Sequence, residues 1–248
     1  MITVDVLFSN RTDPNTLSVR LEQSLAAVID VIRATSTITV LLASGCESII
    51  VAANKKQAFD LKKKNPGYIL CGEEGGLAPK GFDYGNSPLE LSKLDLEQKT
   101  VILKTTNGTV SLHLAHSCRA GYTLSLLNMA YAINKILDQL QNNGHDLLLI
   151  CSGQEGRIAY DDVYTAGVAV KYILGYGGSF RFTDSAKMAL SLALSEADME
   201  SALKKSSSAQ ALVNIGLEQD IAFCAQLDKY SLGGKLVYDS GLLKIGAI

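Results

Sequence analysis

The chain has 248 residues, of which 47% are hydrophobic and 19% charged, and its formal net charge is -2 with a pI near 5.9. That length can bury the core of one large domain or two lobes. The weak negative charge argues against a general affinity for nucleic acid. Apolar runs stay well short of the roughly 18 residues that span a bilayer, so we expect no membrane partner.

The cysteine content predicts a reducing location. The five cysteines are odd in number and scattered, and they include no C-x-x-C pair. Neither a disulfide framework nor a zinc site is therefore indicated. The N-terminal Met1–Asp5 lacks the basic start of a signal peptide, and we expect the protein in the cytoplasm.

Apolar runs and breaker residues predict alternating strands and helices. In chain order we predict a strand at Met1–Phe8, a loop at Ser9–Ser24 around Asp13-Pro14-Asn15, a strand at Ala26–Val31, a helix ending at Ser44, a strand at Ser48–Ala52, a helix at Lys55–Lys64, a strand at Tyr68–Cys71, a long polar loop at Gly72–Lys99, a strand at Thr100–Lys104, a helix at Gly108–Ser117, a strand at Tyr122–Ser125, a helix at Met129–Gln141, a strand at Asp146–Cys151, a helix at Asp162–Leu174, helices at Ser185–Leu194 and Ala197–Lys205, a helical segment through Ile221, and edge strands at Lys235–Tyr238 and Leu242–Ile245. This pattern predicts an α/β fold with a mainly parallel or mixed sheet flanked by helices and a helix-rich C-terminal part. We expect residues 1–248 to form one domain, with two lobes that divide near residue 180 as the alternative, and we find no repeat of fixed period.

Four of the predicted strands end in clusters of polar, acidic or glycine residues. The clusters are 30–37, 71–76, 104–109 and 151–157. In open α/β sheets, ligands bind outside the carboxyl ends of the strands. If the four strands are neighbours in one sheet, their polar ends meet at a single site that suits a metal ion and an anion.

Acidic residues in these clusters are candidate metal ligands or bases. Asp30 is either the cap of the following helix or a ligand, and Arg33 at a helix start favours a nearby anion. Asp161 and Asp162, with Glu155, place repelling carboxylates together, which Mg²⁺ would relieve. A helix start rich in acids for dipole reasons is the alternative. Two further acidic positions keep both interpretations: Glu73 is a ligand or part of an exposed turn, and Asp220 is a ligand or a cap.

The remaining polar positions suit binding of an anion. Thr105–Thr109 opens a helix after a strand, so its free N–H groups form either an anion nest or a simple cap. Asp83 and Asn86 lie in a glycine-bounded turn of the long loop and could orient a substrate. His113 and His116 stand three apart on a helix without evident ligand partners, which favours a core or surface role.

Taken in order, these segments resemble the 2-phosphosulfolactate phosphatase family of coenzyme M biosynthesis. The matching stretches are Val28–Thr37, Gly72-Glu73 with Gly75-Gly76, Gly81–Pro88, Thr105–Thr109, Ser152–Asp162 and Asp220–Ala225. The resemblance implies an α/β hydrolase that needs Mg²⁺ and removes phosphate from a small acidic phosphoester. The chain departs from the family pattern at Ser206–Gln210, where a basic residue or glycine is usual.

The resulting hypothesis is hydrolysis of 2-phosphosulfolactate to 3-sulfolactate and phosphate by a homodimer. The predicted catalytic residues are Asp30 and Asp161, with Asp161 as general base; attack by water and a covalent aspartyl-phosphate at Asp30 both stay open. The predicted Mg²⁺ ligands are Asp30, Asp162, Glu73, Glu155 and Asp220, and the predicted substrate contacts are Arg33, Thr106, Asn107, Gly108, Ser152, Gly153, Arg157, Asp83 and Asn86. The alternatives are an isomerase or lyase for a small organic acid, and a non-catalytic sensor of small anions.

Overall fold

One mixed sheet of ten strands frames the computed structural model, which describes residues 1–11, 13 and 17–248, apart from the side chain of Asn143. The strands are β1 (Ile2–Leu7), β2 (Ser24–Ile29), β3 (Ser48–Val51), β4 (Ile69–Gly72), β5 (Thr100–Lys104), β6 (Ala120–Leu124), β7 (Asp146–Cys151), β8 (Phe180–Phe182), β9 (Gly234–Asp239) and β10 (Leu242–Ala247). Pro14 and Asn15 of the predicted Ser9–Ser24 loop lie outside the described residues.

Helices connect the strands and fill the C-terminal part. They are α1 (Ala34–Ala43), α2 (Lys55–Lys64), α3 (Pro88–Leu91), α4 (Gly108–Ala115), α5 (Met129–Asn143), α6 (Tyr160–Tyr176), α7 (Asp184–Ser195), α8 (Met199–Lys204), α9 (Ser207–Asn214) and α10 (Gln219–Cys224). The predicted α/β class and the helix-rich C-terminal part are confirmed. In the predicted long loop, Ser87 caps the short helix α3 and Pro88 occupies its first turn. Three-residue β8 has too little pattern to be predicted.

The strand order is β4-β5-β3-β10-β9-β6-β2-β7-β1-β8. Parallel pairs form both ends of the sheet, while the antiparallel hairpin β9-β10 joins β6 to β3 in the middle. The prediction that the strands near Lys235 and Leu242 are edge strands is therefore wrong. Their short, mixed sequences look like edges, but their pairing partners lie far away along the chain.

The four strands with polar ends are not all neighbours, so the condition set for a shared site is not met in that form. β2 pairs with β7 and β4 pairs with β5, but four strands separate the two pairs. The two pairs nevertheless approach each other, since α4, which follows β5, packs against β2 and β7. Strand twist accumulates across a wide sheet, and here it curls the sheet around one inner core.

Helix α1 lies inside that curl. All of its residues from Ala34 to Leu42 are buried. Its apolar side chains join a core that takes residues from both ends of the sheet, whereas α5, α6 and α2 cover the outer faces. The buried hydroxyls of α1 donate hydrogen bonds to backbone carbonyls: that of Thr39 to the carbonyl of Thr35, and that of Thr37 to the carbonyl of Asn86.

No helix among the described residues is long and apolar enough to cross a membrane.

Candidate active site

A cavity of about 300 Å³ lies where the polar ends of β2, β4, β5 and β7 meet. The predicted site residues that line it are Asp30, Arg33, Glu73, Asn86, Thr106, Asn107, Gly153, Glu155 and Asp162. Both strand pairs thus contribute to a single cavity, although the sheet separates them. Gly108, Ser152, Arg157, Asp83, Asp161 and Asp220 are outside the lining.

Asp30 caps the turn before α1 and also faces the cavity. Its Oδ1 accepts a hydrogen bond from the Ala34 N–H at 3.1 Å. Burial raises the pKa of Asp30 to about 6, and the charge of Glu73 adds to this effect. Its Oδ2 faces Gly108 so closely that a Cβ there would lie 2.9 Å from it and 2.6 Å from the Ala34 Cβ. Only glycine fits at position 108 without displacing Asp30 or Ala34.

Arg33 is the one cationic side chain among the described residues that line the cavity. It is buried, and its Nη1 donates to Asp220 Oδ2 at 2.8 Å. Asp220 Oδ1 in turn accepts from the Ser87 hydroxyl at 2.7 Å and the Leu89 N–H at 3.3 Å. Both oxygens of Asp220 are therefore engaged within the protein, one of them with Arg33, and Asp220 is outside the lining of the cavity.

Glu73 and Asp162 face the cavity with both oxygens of each carboxylate hydrogen-bonded. Glu73 accepts from the N–H groups of Thr106 at 2.6 Å and Gly76 at 3.0 Å. Asp162 accepts from those of Val31 at 3.0 Å and Gly153 at 2.9 Å. Burial, together with the charges of Asp161 and Asp30, raises the pKa of Asp162 well above its usual range.

Asp161, the predicted general base, lies behind the cavity wall. It is only 1% exposed, and its Oδ1 accepts from the hydroxyl of Ser208, which does line the cavity, at 3.3 Å. Burial raises the pKa of Asp161 to about 7, with repulsion from Asp30 as a further cause. The hydroxyl of Ser208 thus connects Asp161 to the cavity.

Of the other predicted substrate contacts, Asn107 lines the cavity, whereas Asp83 and the side chain of Arg157 do not. Asp83 accepts from the Leu70 N–H and pairs with Lys62 at 3.0 Å, away from the cavity. The side chain of Arg157 is exposed, while its backbone pairs with Gln154. The Asn107 side chain lines the cavity and accepts from the Glu155 N–H at 3.1 Å.

Asn86 has a buried side-chain oxygen that accepts no hydrogen bond from the described residues. This cavity-lining residue is 3% exposed, and its Oδ1 has no hydrogen-bond partner among the described residues. Burying such a group without a partner costs roughly 1–3 kcal/mol. A bound ligand or water that donates to it removes that cost, which fits the predicted role of Asn86 in binding.

One wall of the cavity comes from a helix that the sequence analysis did not assign to the site. Ser208, Ala211, Leu212 and Ile215 of α9 and its C-terminal end line it. These residues lie in an ordinary amphipathic helix, so no local signal distinguishes them from core residues. The departure from the family pattern at Ser206–Gln210 is the one sequence feature that indicates this segment.

Acidic groups dominate the electrostatics of the cavity. Its described lining has the carboxylates of Asp30, Glu73, Glu155 and Asp162 against the single guanidinium of Arg33, which Asp220 already pairs. A divalent cation would reduce the repulsion among these groups and with any incoming phosphate.

The five predicted metal ligands are not gathered into one coordination shell. Within residues 1–11, 13 and 17–248, no three or more His, Cys, Asp or Glu side chains are close enough to hold a metal ion. The carboxylates of Glu73 and Asp162 accept hydrogen bonds from backbone N–H groups, and Asp220 forms an ion pair with Arg33. Glu155 lies on an exposed turn. The donor chemistry still fits Mg²⁺, which commonly binds through one or two carboxylates, waters and substrate phosphates.

The fold and cavity together define an α/β protein with an acidic ligand site at strand ends, where such folds bind their ligands. Comparison with known proteins narrows this class. The model of the 2-phosphosulpholactate phosphatase family matches residues 12–236. The chain belongs to that family.

Relatives in three bacteria carry the name "Probable 2-phosphosulfolactate phosphatase". The protein from Pseudothermotoga lettingae is 37% identical over 238 residues, which cover 95% of this chain and 96% of the relative. That from Thermus thermophilus is 38% identical over 82% of this chain and 83% of its own length. That from Deinococcus radiodurans is 35% identical over 86% and 88%. The similarity thus extends over nearly the whole fold.

The Arg33–Asp220 pair makes a testable contribution to stability. Removing one partner of a buried ion pair leaves an uncompensated charge and costs about 3–5 kcal/mol. We expect Asp220→Ala to lower the free energy of unfolding in urea by about 3 kcal/mol. As a control, Asp60→Ala breaks the exposed Lys56–Asp60 pair and should cost less than about 1 kcal/mol. Equal small losses in both variants would show that Asp220 does not hold a buried charge.

The pKa of Asp161 predicts a pH-dependent stability. Because it is raised from 3.8 to about 7 in the folded protein, the carboxyl group favours folding at low pH and loses that contribution as pH rises through 7. In metal-free protein, Asp161→Asn should therefore gain stability relative to the unmodified chain, by on the order of 2 kcal/mol between pH 5 and pH 8. Urea unfolding at each pH measures this difference. The exposed Asp138→Asn serves as the control, and a constant difference for Asp161→Asn contradicts the assignment.

Proposed function

We propose that the protein is a Mg²⁺-dependent phosphatase whose substrate is 2-phosphosulfolactate, which it hydrolyses to 3-sulfolactate and phosphate. The observation that carries the proposal is the cavity itself, in which carboxylates and polar residues from four strand ends surround one buried arginine. Relatives named as probable 2-phosphosulfolactate phosphatases, similar over nearly the whole chain, support this substrate.

The charge balance of the cavity supports a requirement for a cation. A phosphate ester that carries further acidic groups enters a site whose carboxylates outnumber its one arginine among the described lining residues. At 4 Å, two like charges repel by about 4 kcal/mol at the effective dielectric constant of such a site. The protein alone therefore binds such a substrate poorly, and a metal ion makes up the missing positive charge.

Asp30 is the proposed anchor for that metal ion, because its carboxylate faces the cavity. The nearby N-terminal ends of α1 and α4 favour an anion such as the substrate phosphate. Glu155, on the exposed rim, is the second candidate. When bound, Mg²⁺ neutralises charge that develops on the phosphoryl group and lowers the pKa of bound water.

The remaining residues bind and orient the substrate. Arg33, held in place by Asp220, offers N–H groups to a phosphoryl or acidic oxygen. The Asn86 amide supplies a buried polar group that has no protein partner among the described residues. Asp161, with a pKa near 7, accepts or returns a proton through the hydroxyl of Ser208. The apolar side chains of α9 keep water from that wall.

The cysteines support the proposed cytoplasmic location. Each of the five, all of them among the described residues, is a free thiol, and four are buried. Such thiols persist in a reducing compartment.

The direct test is release of inorganic phosphate from 2-phosphosulfolactate and from other small phosphorylated acids. We expect release with Mg²⁺, loss of release in EDTA, and a decrease of at least about 100-fold in kcat for Asp30→Asn, since its ionised carboxylate is lost. Asp60→Asn, on the exposed face of α2, is the matched control and should keep full activity.

Failure has distinct signatures. If none of the phosphoesters releases phosphate in a metal-dependent manner, the proposal is wrong. Turnover of a non-phosphorylated organic acid without metal would point to an isomerase or lyase instead. Binding of small anions without turnover, unchanged in Asp30→Asn, would point to a sensor.

A further inference from the structure

The chain contains two similar units that the sequence alone does not reveal. The first runs β2-α1-β3-α2-β4 and the second β5-α4-β6-α5-β7. In the sheet, the units exchange their first strands: β5 lies between β4 and β3, and β2 lies between β7 and β6. The hairpin β9-β10 separates the two resulting three-stranded groups, so the strand order from β4 to β7 has an approximate two-fold symmetry.

The local geometry at the cavity repeats as well. After β4, the backbones of Glu74 and Leu77 pair around a turn with φ values of 61° at Gly75 and 84° at Gly76. After β7, Gln154 and Arg157 pair in the same way, with φ values of 52° at Glu155 and 83° at Gly156. Both units therefore end in the same kind of tight hairpin turn, with two successive positive φ angles.

The turns after the first strands also match. Following β2, the Asp30 N–H donates to the Thr35 hydroxyl at 3.1 Å. Following β5, the Thr105 N–H donates to the Thr109 hydroxyl at 3.2 Å. In each case a threonine near the start of a helix closes the turn. The helix starts then meet at the cavity, where Gly108 packs against Ala34.

Glu73 and Asp162 make related contacts within this symmetry. Glu73 joins the hairpin of its own unit, at the Gly76 N–H, to the first turn of the other unit, at the Thr106 N–H. Asp162 joins the residue that precedes the hairpin of the second unit, at the Gly153 N–H, to the first turn of the first unit, at the Val31 N–H. Each carboxylate thus connects two segments that belong to different units.

We propose that Glu73 and Asp162 are a pair of positioning residues that hold the exchanged strand ends around the cavity, and that neither is a primary metal ligand. The two carboxylates occupy different places in their units, because Gly153 is the residue that corresponds to Glu73 by distance from the hairpin. Each carboxylate nevertheless accepts from the corresponding amide in the first turn of the other unit, Thr106 or Val31. Asp30, whose own contacts stay within its first turn, remains the metal anchor.

The test uses Glu73→Gln and Asp162→Asn, which keep the size of each side chain and replace one acceptor oxygen by a donor NH₂. Amide hydrogen exchange measured by NMR in EDTA then reports the contacts without metal. We expect Glu73→Gln to speed exchange at Thr106 or Gly76 by at least about tenfold and to leave Val31 and Gly153 within about twofold. Asp162→Asn should show the opposite pattern. Glu74→Gln, on the exposed side of the same hairpin, should change none of the four amides.

A second measurement separates positioning from metal binding. The inference refines the proposed function, so we also compare the Mg²⁺ concentration that gives half-maximal phosphatase activity. Positioning residues should lower kcat by at least about tenfold and leave that concentration within about threefold. A rise of tenfold or more, with activity recovered at high Mg²⁺, or unchanged exchange at all four amides, would overturn the inference. The exchange result holds even if phosphatase activity is absent, so the two proposals can fail separately.

Discussion

The exchange of first strands between the two units is the constraint on which the rest of the structure depends. Because β2 inserts between β6 and β7, and β5 inserts between β3 and β4, neither unit can complete its own three-stranded group. The curl of the sheet then brings the ends of both inserted strands to one place. The cavity is consequently a property of the whole sheet, and residues from remote parts of the chain form it together.

That arrangement costs stability where it serves binding. Asp30, Asp161 and Asp162 are all buried. The charge of Asp30 raises the pKa of both Asp161 and Asp162, and the charge of Asp161 raises that of Asp162 further. Asn86 keeps a buried oxygen without a protein partner among the described residues. Natural proteins concentrate such unfavourable features at functional sites. Here Asp30, Asp162 and Asn86 line the cavity and Asp161 lies behind its wall; the ligand is expected to bring the missing charge and donors.

Local sequence signals predicted the elements of this fold well. The predicted helix Lys55–Lys64 is α2 with the same bounds, and Asn54 caps it; the helix predicted at Met129–Gln141 is α5, which Gly144 ends in a left-handed conformation. The polar ends of β2, β4, β5 and β7 correctly indicated which residues surround one cavity, Asp30, Glu73, Thr106 and Gly153 among them. These signals are short-range, since caps and apolar runs depend on neighbours within one or two turns.

What depends on distant pairing could not be predicted. The central position of β9 and β10 follows from partners nearly 200 residues away in β3, and the separation of β2 from β5 follows from that insertion. Similarly, nothing near Asp220 in the sequence shows that it forms an ion pair with Arg33. Nor does the sequence around Glu73 or Asp162 show that their carboxylates accept hydrogen bonds from distant backbone amides. The α9 wall was missed because its residues look like an ordinary helix face.

The central claim is that the four strand ends form a single ligand site, and NMR titration of the protein with Mg²⁺ and inorganic phosphate tests it most directly. We predict that the resonances of backbone amides near Arg33, Gly76, Thr106 and Gly153 all shift with one shared dissociation constant. Phosphate without Mg²⁺ should bind at least about tenfold more weakly than phosphate with Mg²⁺. Shifts confined to one strand end, or different constants for different ends, would contradict it.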